Sequence, residues 1–354
     1  MSGAIPYVIG QWVCGPRFYG REPLLAGILD GPPAWHWIAG LRRIGKTSLL
    51  KQLDHLAGAR ARDPRRWAEE ARLVVTGSAD RPLLPLFWDL QGVGSAKDLG
   101  LTFGEALLDA EERLEELGIA PREIEDGDPF AALEKLARAA RGRDAEILLL
   151  CDEADALLDL ARADPGLSPR LWRAIGAAEP VRVVLASSLR LCDLGLGAAA
   201  ERAVAGLAER FSAPRLFGAF TDEEARTLLR QVHLPEASRP TIAEAETEAI
   251  REQCGNHPML LQLLAKRLLE LRDLDEAFRQ VAADPSVGHL FAVDFELLAP
   301  EEREVLRAIA CEGVRPATDR LLALGLLHRK KEEGHTIANR FLSDWLRRLV
   351  PIAD

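Results

Sequence analysis

The chain has 354 residues, of which 48% are hydrophobic and 28% are charged, which excludes a disordered chain and predicts two or three folded domains. The net charge of −10 excludes a protein whose whole surface binds nucleic acid, because such binding depends on many cations. Five scattered cysteines, no apolar run of membrane-spanning length and no signal-peptide pattern together predict a cytoplasmic protein with free thiols and no membrane partner.

The N-terminal stretch PYVIGQWVCGPRFYGREPLLAGIL has a hydrophobic, glycine-rich part that leads into FYGRE, and an amphipathic helix is predicted to follow. FYGRE comprises Phe18, Tyr19, Gly20, Arg21 and Glu22. On the residues alone, this element could simply cap the helix.

The next feature is WHWIAGLRRIGKTSLLKQL, residues 35–53, which contains the phosphate-loop pattern G-x-x-x-x-G-K-[ST]. An apolar run predicted as a strand precedes the loop, and apolar positions at helical spacing follow it. The glycines allow amides to turn around a phosphate, the lysine brings a positive charge, and the threonine offers a hydroxyl to Mg²⁺. The residues predicted to hold a nucleotide here are Gly40, Arg43, Ile44, Gly45, Lys46, Thr47 and Ser48.

Residues 58–81 are rich in arginine and are predicted to form an excursion before a strand in PLFWDLQG. A solvated helix balanced by Glu69 and Glu70 is favoured over contact with nucleic acid or an acidic partner. The arginines concerned are Arg60, Arg62, Arg65 and Arg66. Residues 98–143 predict two or three amphipathic helices with a turn near DGDP.

The segment EILLLCDEADALLD predicts a second half for the site. Its unbroken apolar run, Ile147 to Leu150, is typical of a strand buried on both faces. Asp152 follows at the carboxyl end, where open α/β sheets bind ligands, and is predicted to hold Mg²⁺. Glu153 is placed to polarise the attacking water as a general base. Taken alone, the two acids could instead be a helix cap after a core strand.

A third strand is predicted in VRVVLASS, residues 181–188, which ends in two hydroxyls. Ser187 or Ser188 is expected to sense the γ-phosphate, and the sequence does not choose between them. Arg190 could contact a phosphate or a neighbouring subunit. The alternative, an arginine exposed to solvent without such a role, is at least as good an interpretation. No guanine-binding segment of the Asn-Lys-x-Asp type follows a strand, so ATP is favoured over GTP.

Helical patterns dominate the remainder of the chain. In PRLFGAFTDEEARTLLRQV, Asp222 and Glu223 follow Thr221, a good N-cap arrangement. In EQCGNHPMLLQLLAKRLLE, Pro258 suits the first turn of a helix. From about residue 294, the segments APEEREVLRAIA, ATDRLLALGLLHRK and GHTIANRFLSDWLRRL predict helix, helix, short hairpin and helix.

Taken in order, these segments resemble AAA+-type P-loop ATPases of the signal-transduction class (STAND), including prokaryotic families close to archaeal ATPases and origin-recognition proteins. The resemblance implies an α/β fold: a doubly wound, mainly parallel P-loop core (residues 1–220), a helical lid (221–290) and a C-terminal winged helix (291–354). It also implies that Phe18, Tyr19, Gly20 and Arg21 lie by the adenine, and that Pro258, in the Gly-x-x-Pro turn of the lid, touches the base.

The function that this resemblance favours is an ATP-dependent molecular switch that binds ATP or ADP with Mg²⁺. Many relatives outside the class have an arginine in the lid helix that reaches the γ-phosphate. The nearest base here, Lys266, lies two turns further on, which implies slow turnover. Because the sequence has no sensor repeats, partner proteins are expected to carry the sensor or effector function, as in a prokaryotic defence or signalling module. A nucleotide-dependent homo-oligomer is compatible with this function.

Two alternatives stay open. The first is a DNA-binding ATPase of the origin-recognition or transposition-helper type, in which Arg329, Lys330 and Lys331 of the wing would contact the duplex. It is disfavoured because the candidate recognition helix is mostly leucine and Glu332 and Glu333 offset part of the wing's charge. The second is a nucleotide-bound scaffold without useful turnover.

Overall fold

The computed structural model of the chain describes residues 5–62, 82–124, 127–192, 210–211, 213–312, 318–330 and 334–349. Arg65, Arg66 and Lys331 lie outside these residues, as do the acids that were expected to balance them, and so do the side chains of Arg60 and Arg62. The predictions for the arginine-rich excursion and for most of the wing therefore stay predictions.

A five-stranded parallel sheet organises the first part of the molecule. Its strands are β1 (Trp35–Ala39), β2 (Leu83–Asp89), β3 (Glu146–Asp152), β4 (Val181–Ser187) and β5 (Arg215–Leu216), in the spatial order β2-β3-β4-β1-β5. Every residue of β3 and β4 is buried, as a parallel sheet covered on both faces requires. The strands predicted around the phosphate loop and before the two carboxylates are present.

Helices cover both faces of this sheet. On one face, α1 (Glu22–Leu29) and α2 (Lys46–Arg62) pack against alternate strand residues such as Leu148. On the other face, α3 (Ala96–Asp109) packs against the residues between them, such as Leu149. This alternation follows from the two-residue period of a strand. The core is therefore doubly wound.

The prediction of two or three helices over residues 98–143 was wrong in number. The described part of this range has α3 and then α4 (Glu111–Glu116), α5 (Pro121–Ile124) and α6 (Pro129–Arg141). Gly118, at φ +67°, ends the helical path after α4, because few other residues adopt that conformation. The prolines that begin α5 and α6 are good first helical residues and poor interior ones. The helices α7 (Ala156–Ala163) and α8 (Leu167–Ala177) follow β3.

Between β5 and the C-terminal part, the described residues form α9 (Asp222–Arg230), α10 (Glu244–Cys254), α11 (Pro258–Leu271), α12 (Leu274–Ala283) and α13 (Pro285–Glu296). The N-cap predicted at Thr221 is present as a capping box with Glu224. One apolar cluster joins these helices to the C-terminal elements.

The C-terminal part consists of α14 (Pro300–Glu312), α15 (Asp319–Ala323), an antiparallel hairpin of β6 (Leu327–Lys330) and β7 (Gly334–Ile337), and α16 (Arg340–Leu349). Helix, helix, hairpin and helix therefore occur in the expected order. The expected boundary between residues 290 and 291 falls inside α13, whereas that between 220 and 221 falls at the start of α9. The division into three domains and the winged-helix assignment stay predictions. Among the described residues, no helix is both long and apolar enough to cross a membrane.

Candidate functional site

The phosphate-loop pattern forms a turn between β1 and α2. Gly45 has φ +102°, a conformation that L-residues with side chains rarely adopt. A Cβ on Gly40 would lie 2.6 Å from the carbonyl oxygen of Phe217, so only glycine fits there. Arg43 is also left-handed, at φ +58°, and its guanidinium donates a hydrogen bond to the Gly10 carbonyl at 3.0 Å.

Lys46, at the start of α2, lies beneath the loop. Its ammonium donates hydrogen bonds to the carbonyls of Gly40 (2.9 Å) and Leu41 (2.8 Å). Burial lowers the pKa of Lys46, whereas the nearby carboxylates of Glu153 and Asp155 raise it. A compact positive charge is thus held at the loop, surrounded by acids on neighbouring elements.

Asp152 ends β3 and lies beside Asp89 at the end of β2. Burial raises the pKa of Asp152, while hydrogen bonds from the Thr47 hydroxyl and the Glu153 amide lower it. Hydroxyl and carboxylate oxygens are the ligands that Mg²⁺ prefers. Thr47 and Asp152 therefore fit the pair of protein ligands predicted for the metal.

Glu153 is partly exposed and has a left-handed backbone at φ +50°. Partial burial first, and then the charge of Asp152, raise the pKa of Glu153. The carboxylate is therefore more basic than an ordinary surface glutamate, which suits a group that accepts a proton from water.

The two serines at the end of β4 differ in their surroundings. The Ser187 hydroxyl is buried, accepts a hydrogen bond from the Trp37 indole (3.0 Å) and donates to the Ser188 carbonyl (2.9 Å). The Ser188 hydroxyl donates to Asp155 at 2.8 Å, and Asp155 also accepts the Ser188 amide at 2.6 Å. Asp155 was missed from the sequence, although it stands two residues after Glu153.

The FYGRE element lies against the helices that follow β5. Tyr19 is buried and stacks on His233, with ring centroids 4.3 Å apart. The Arg21 guanidinium lies over the Phe217 ring, 4.1 Å from its centroid, and donates to the Gly218 carbonyl at 2.5 Å. The element therefore holds the junction between β5 and α9 and does more than cap α1.

A cavity of about 960 Å³ brings these parts together. All predicted site residues except Gly20 and Gly40 line it, so the FYGRE element, the loop, the carboxylates, both serines and Pro258 face one space. Arg190 also lines it, and so do Val293 and Leu297 on and just after α13. A volume of this order suits a ligand of nucleotide size.

The sequence did not predict that the N-terminal segment from Val8 to Val13 would line the cavity. The Val8 amide donates to Gln262 of α11 at 3.1 Å, and the Val13 amide donates to the Ser48 hydroxyl at 3.2 Å. This segment joins the two sides of the cavity. Only Gly10 in this segment hinted at an irregular path.

Two solved structures share this fold over nearly their whole length. The Walker-type ATPase PABY2304 of Pyrococcus abyssi matches with a TM-score of 0.58 and 17% identity, over 93% of this chain and 96% of that one. The ORC2 protein of Aeropyrum pernix, in its ADPNP–ADP complexes, matches with a TM-score of 0.50 and 14% identity, over 98% of both chains. The fold is that of the AAA+-type P-loop ATPases.

A STAND protein with a tetratricopeptide repeat sensor, PH0952 of Pyrococcus horikoshii, matches 97% of this chain at 18% identity, with a TM-score of 0.33. The chain spans 45% of the length of that protein. No family model and no curated protein matches the sequence. At these identities a structural likeness establishes the AAA+-type fold alone, and at that level the resemblance predicted from the sequence is confirmed.

Proposed function

We propose that this chain is an ATP-binding molecular switch that hydrolyses ATP slowly and couples its nucleotide state to the arrangement of the helices after β5. The observation that carries the proposal is the single cavity shared by the Gly45–Lys46–Thr47 turn, Asp152 and Glu153. These groups are the ones that phosphoryl transfer to water requires.

In this function, Lys46 and the loop amides hold the phosphates, and the dipole of α2 favours the same anions. Thr47 and Asp152 hold Mg²⁺, which when bound neutralises charge on the phosphates. Glu153 accepts a proton from the attacking water. Of the two serines, Ser188 is the better candidate for contact with the γ-phosphate, because it is only half-buried, whereas the Ser187 hydroxyl is buried and is hydrogen-bonded to Trp37.

Slow turnover is supported by the residues that α11 contributes to the cavity lining. The residues of α11 that line the cavity are Pro258, Met259 and Gln262. Neither base of α11, Lys266 or Arg267, is among the described residues that line it. A cation that stabilises charge in the transition state can be worth several orders of magnitude in rate. Without one from α11, hydrolysis is expected to be slow enough for the bound state to persist.

The switch itself is supported by the elements that meet at the cavity. The core contributes the loop and the carboxylates, while α11 and α13 contribute Pro258 and Val293 from the other side. A nucleotide between two bodies shifts their arrangement only if it binds one arrangement more tightly. Partner proteins would detect that arrangement, in a prokaryotic defence or signalling module or elsewhere.

Glu153→Gln tests hydrolysis separately from binding. We expect this variant to retain ATP affinity while its hydrolysis rate falls by roughly 100-fold or more, because the base is lost and the shape is kept. Single-turnover hydrolysis and equilibrium binding measure the two effects, with Glu252→Gln, a change of an exposed acid on α10, as the matched control. Unchanged hydrolysis in Glu153→Gln would contradict the assigned role and favour a scaffold without useful turnover.

A DNA-binding ATPase is a second candidate, because exposed Arg329 of β6 and Arg348 of α16 lie in the C-terminal part. It is less favoured because α15, in the position of a recognition helix, has five residues and buries Leu321. Duplex binding that weakens steeply with salt and is lost in an Arg329→Ala/Lys330→Ala variant would support it.

A further inference from the structure

Helix α13 brings to the candidate site an acidic side chain that the proposed function does not use. Val293, on this helix, and Leu297, which follows it, line the cavity. Between them, Asp294 is a buried carboxyl group with 6% of its surface exposed. Buried carboxyls are costly and need partners, so the partners of Asp294 are informative.

The principal partner of Asp294 is the phosphate loop. One carboxylate oxygen of Asp294 accepts a hydrogen bond from the backbone amide of Arg42, at 3.0 Å. Arg42 is the third residue of the G-x-x-x-x-G-K-T pattern. The second partner is electrostatic, because the charges of Lys46 and Asp294 attract each other. The Asp294 carboxylate thus interacts with an amide of the loop and with the charge of the lysine. These are the two kinds of group with which phosphate-binding loops hold phosphates.

Helix α13 also contacts the C-terminal helix directly. Phe291 and Phe295 of α13 pack against the Trp345 ring of α16, with centroids 6.1 and 5.5 Å apart. A displacement of α13 would therefore disturb the contact with α16. Through α13, the interaction of Asp294 with the phosphate loop is therefore linked to the position of α16.

We propose that Asp294 is a specificity-determining residue that disfavours the nucleotide with the greater negative charge and links triphosphate binding to release of α13 from the phosphate loop. The reason is electrostatic. ATP brings one more phosphate charge than ADP toward a buried carboxylate that shares Lys46 with it, and low-dielectric surroundings strengthen that repulsion. Displacement of α13 from the loop therefore increases the affinity for ATP more than the affinity for ADP, and the ADP-bound protein can keep the contact between Asp294 and the loop. This inference rests on nucleotide binding at the loop.

The test uses the full chain and compares Asp294→Asn with Glu296→Gln, an exposed acid on the same helix. Asparagine keeps an acceptor for the Arg42 amide and removes the charge. The dissociation constants of Mg²⁺ with ADPNP and with ADP are measured by calorimetry at about pH 8.5, where a carboxyl with a moderately raised pKa is ionised. We expect the ADP-to-ADPNP ratio of dissociation constants to rise by about fivefold or more in Asp294→Asn and to stay at the wild-type value in Glu296→Gln.

Hydrogen exchange on the wild-type protein gives a second readout that does not depend on the variant. We expect amides of α13 to exchange faster with ADPNP bound than with ADP bound. A ratio in Asp294→Asn within about twofold of wild type, or equal protection of α13 with both nucleotides, would overturn the inference while leaving the proposed function intact. Failure of the folded wild-type chain to bind either nucleotide would instead refute the proposed function and this inference with it.

Discussion

At the residue scale, Ser187 and Ser188 are adjacent in sequence but have different roles in the structure. The Ser187 hydroxyl is the acceptor for the buried Trp37 indole. We therefore expect Ser187→Ala to lower the free energy of unfolding by about 1–2 kcal/mol, because the indole N–H is left without that acceptor. Urea denaturation measures this change, and the hydrolysis rate of the folded protein should hardly alter.

Ser188→Ala should show the reverse pattern. Ser188 lines the cavity and its hydroxyl is positioned by Asp155, so in the proposed function its loss removes a polar contact to the γ-phosphate. We expect hydrolysis to slow by about tenfold or more, with a smaller loss of stability than in Ser187→Ala. If both variants slowed hydrolysis equally at equal folded fraction, the assignment of Ser188 over Ser187 would be wrong.

Asp294 should also give the stability of the protein a distinctive dependence on pH. Burial raises the pKa of this carboxyl from 3.8 to about 7, and the Arg42 amide and the charge of Lys46 oppose the rise. Between pH 3.8 and about pH 7, Asp294 keeps its proton in the folded chain and has lost it in the unfolded chain. The contribution of Asp294 to stability is therefore full below the unfolded pKa and is lost as pH rises through the folded pKa, by at most ~1.4 kcal/mol per pH unit.

Asp294→Asn removes this titration. We expect its unfolding free energy to fall less between about pH 4 and pH 7 than that of wild type, so that the variant gains relative stability toward higher pH. Denaturation curves across this range measure the effect, and Glu296→Gln should follow wild type. Parallel curves for Asp294→Asn and wild type would show that Asp294 does not titrate in this window.

At the element scale, the parts that sequence predicts best are those with a local physical signature. The strand, glycine turn and helix around Lys46 follow from an apolar run, two glycines and helical spacing over a short stretch. The strand that ends at Asp152 was predictable for the same reason. The number of helices over residues 98–143 was not, because breaks at positions such as Gly118 interrupt an otherwise helical pattern.

Contacts between distant elements could not be predicted from the sequence. The Asp294–Arg42 hydrogen bond joins residues 252 positions apart, and the Tyr7 hydroxyl donates to the Leu229 carbonyl across 222 positions. Neither contact has a periodicity or spacing that marks it in the sequence. The candidate site was thus predictable on the core side, where motifs are local, and incomplete on the side of the N-terminal segment and α13.

The N-terminal segment should restrain a bound nucleotide. The buried Gln52 side chain of α2 accepts a hydrogen bond at 2.6 Å from the amide of Gly15, two residues after this segment, and so holds the end of the segment near α2. We expect Gln52→Ala to speed dissociation of a fluorescent ADP by about threefold or more, because this tether holds one side of the cavity. Stopped-flow measurements give the rate, with the exposed Gln280→Ala as control. A dissociation rate equal to wild type would show that the segment does not restrain the ligand.

At the scale of the whole molecule, the cavity lies where the sheet, the helices after β5 and the N-terminal segment meet. Core residues supply the phosphate loop and carboxylates, and the other elements supply much of the remaining wall. Helix α13 contacts both the phosphate loop and α16, so it joins the candidate site to the C-terminal part. This arrangement gives the proposed switch a physical route from nucleotide to surface.

The most direct test of the central claim is calorimetric titration of the full chain with ADPNP and Mg²⁺, for wild type and for Lys46→Ala, with Lys266→Ala as the matched lysine control. The account predicts one saturable site in wild type and Lys266→Ala, and affinity at least about tenfold weaker in Lys46→Ala, because the charged hydrogen bonds to phosphate are lost. No binding to the folded wild-type chain, or equal binding by Lys46→Ala, would contradict it.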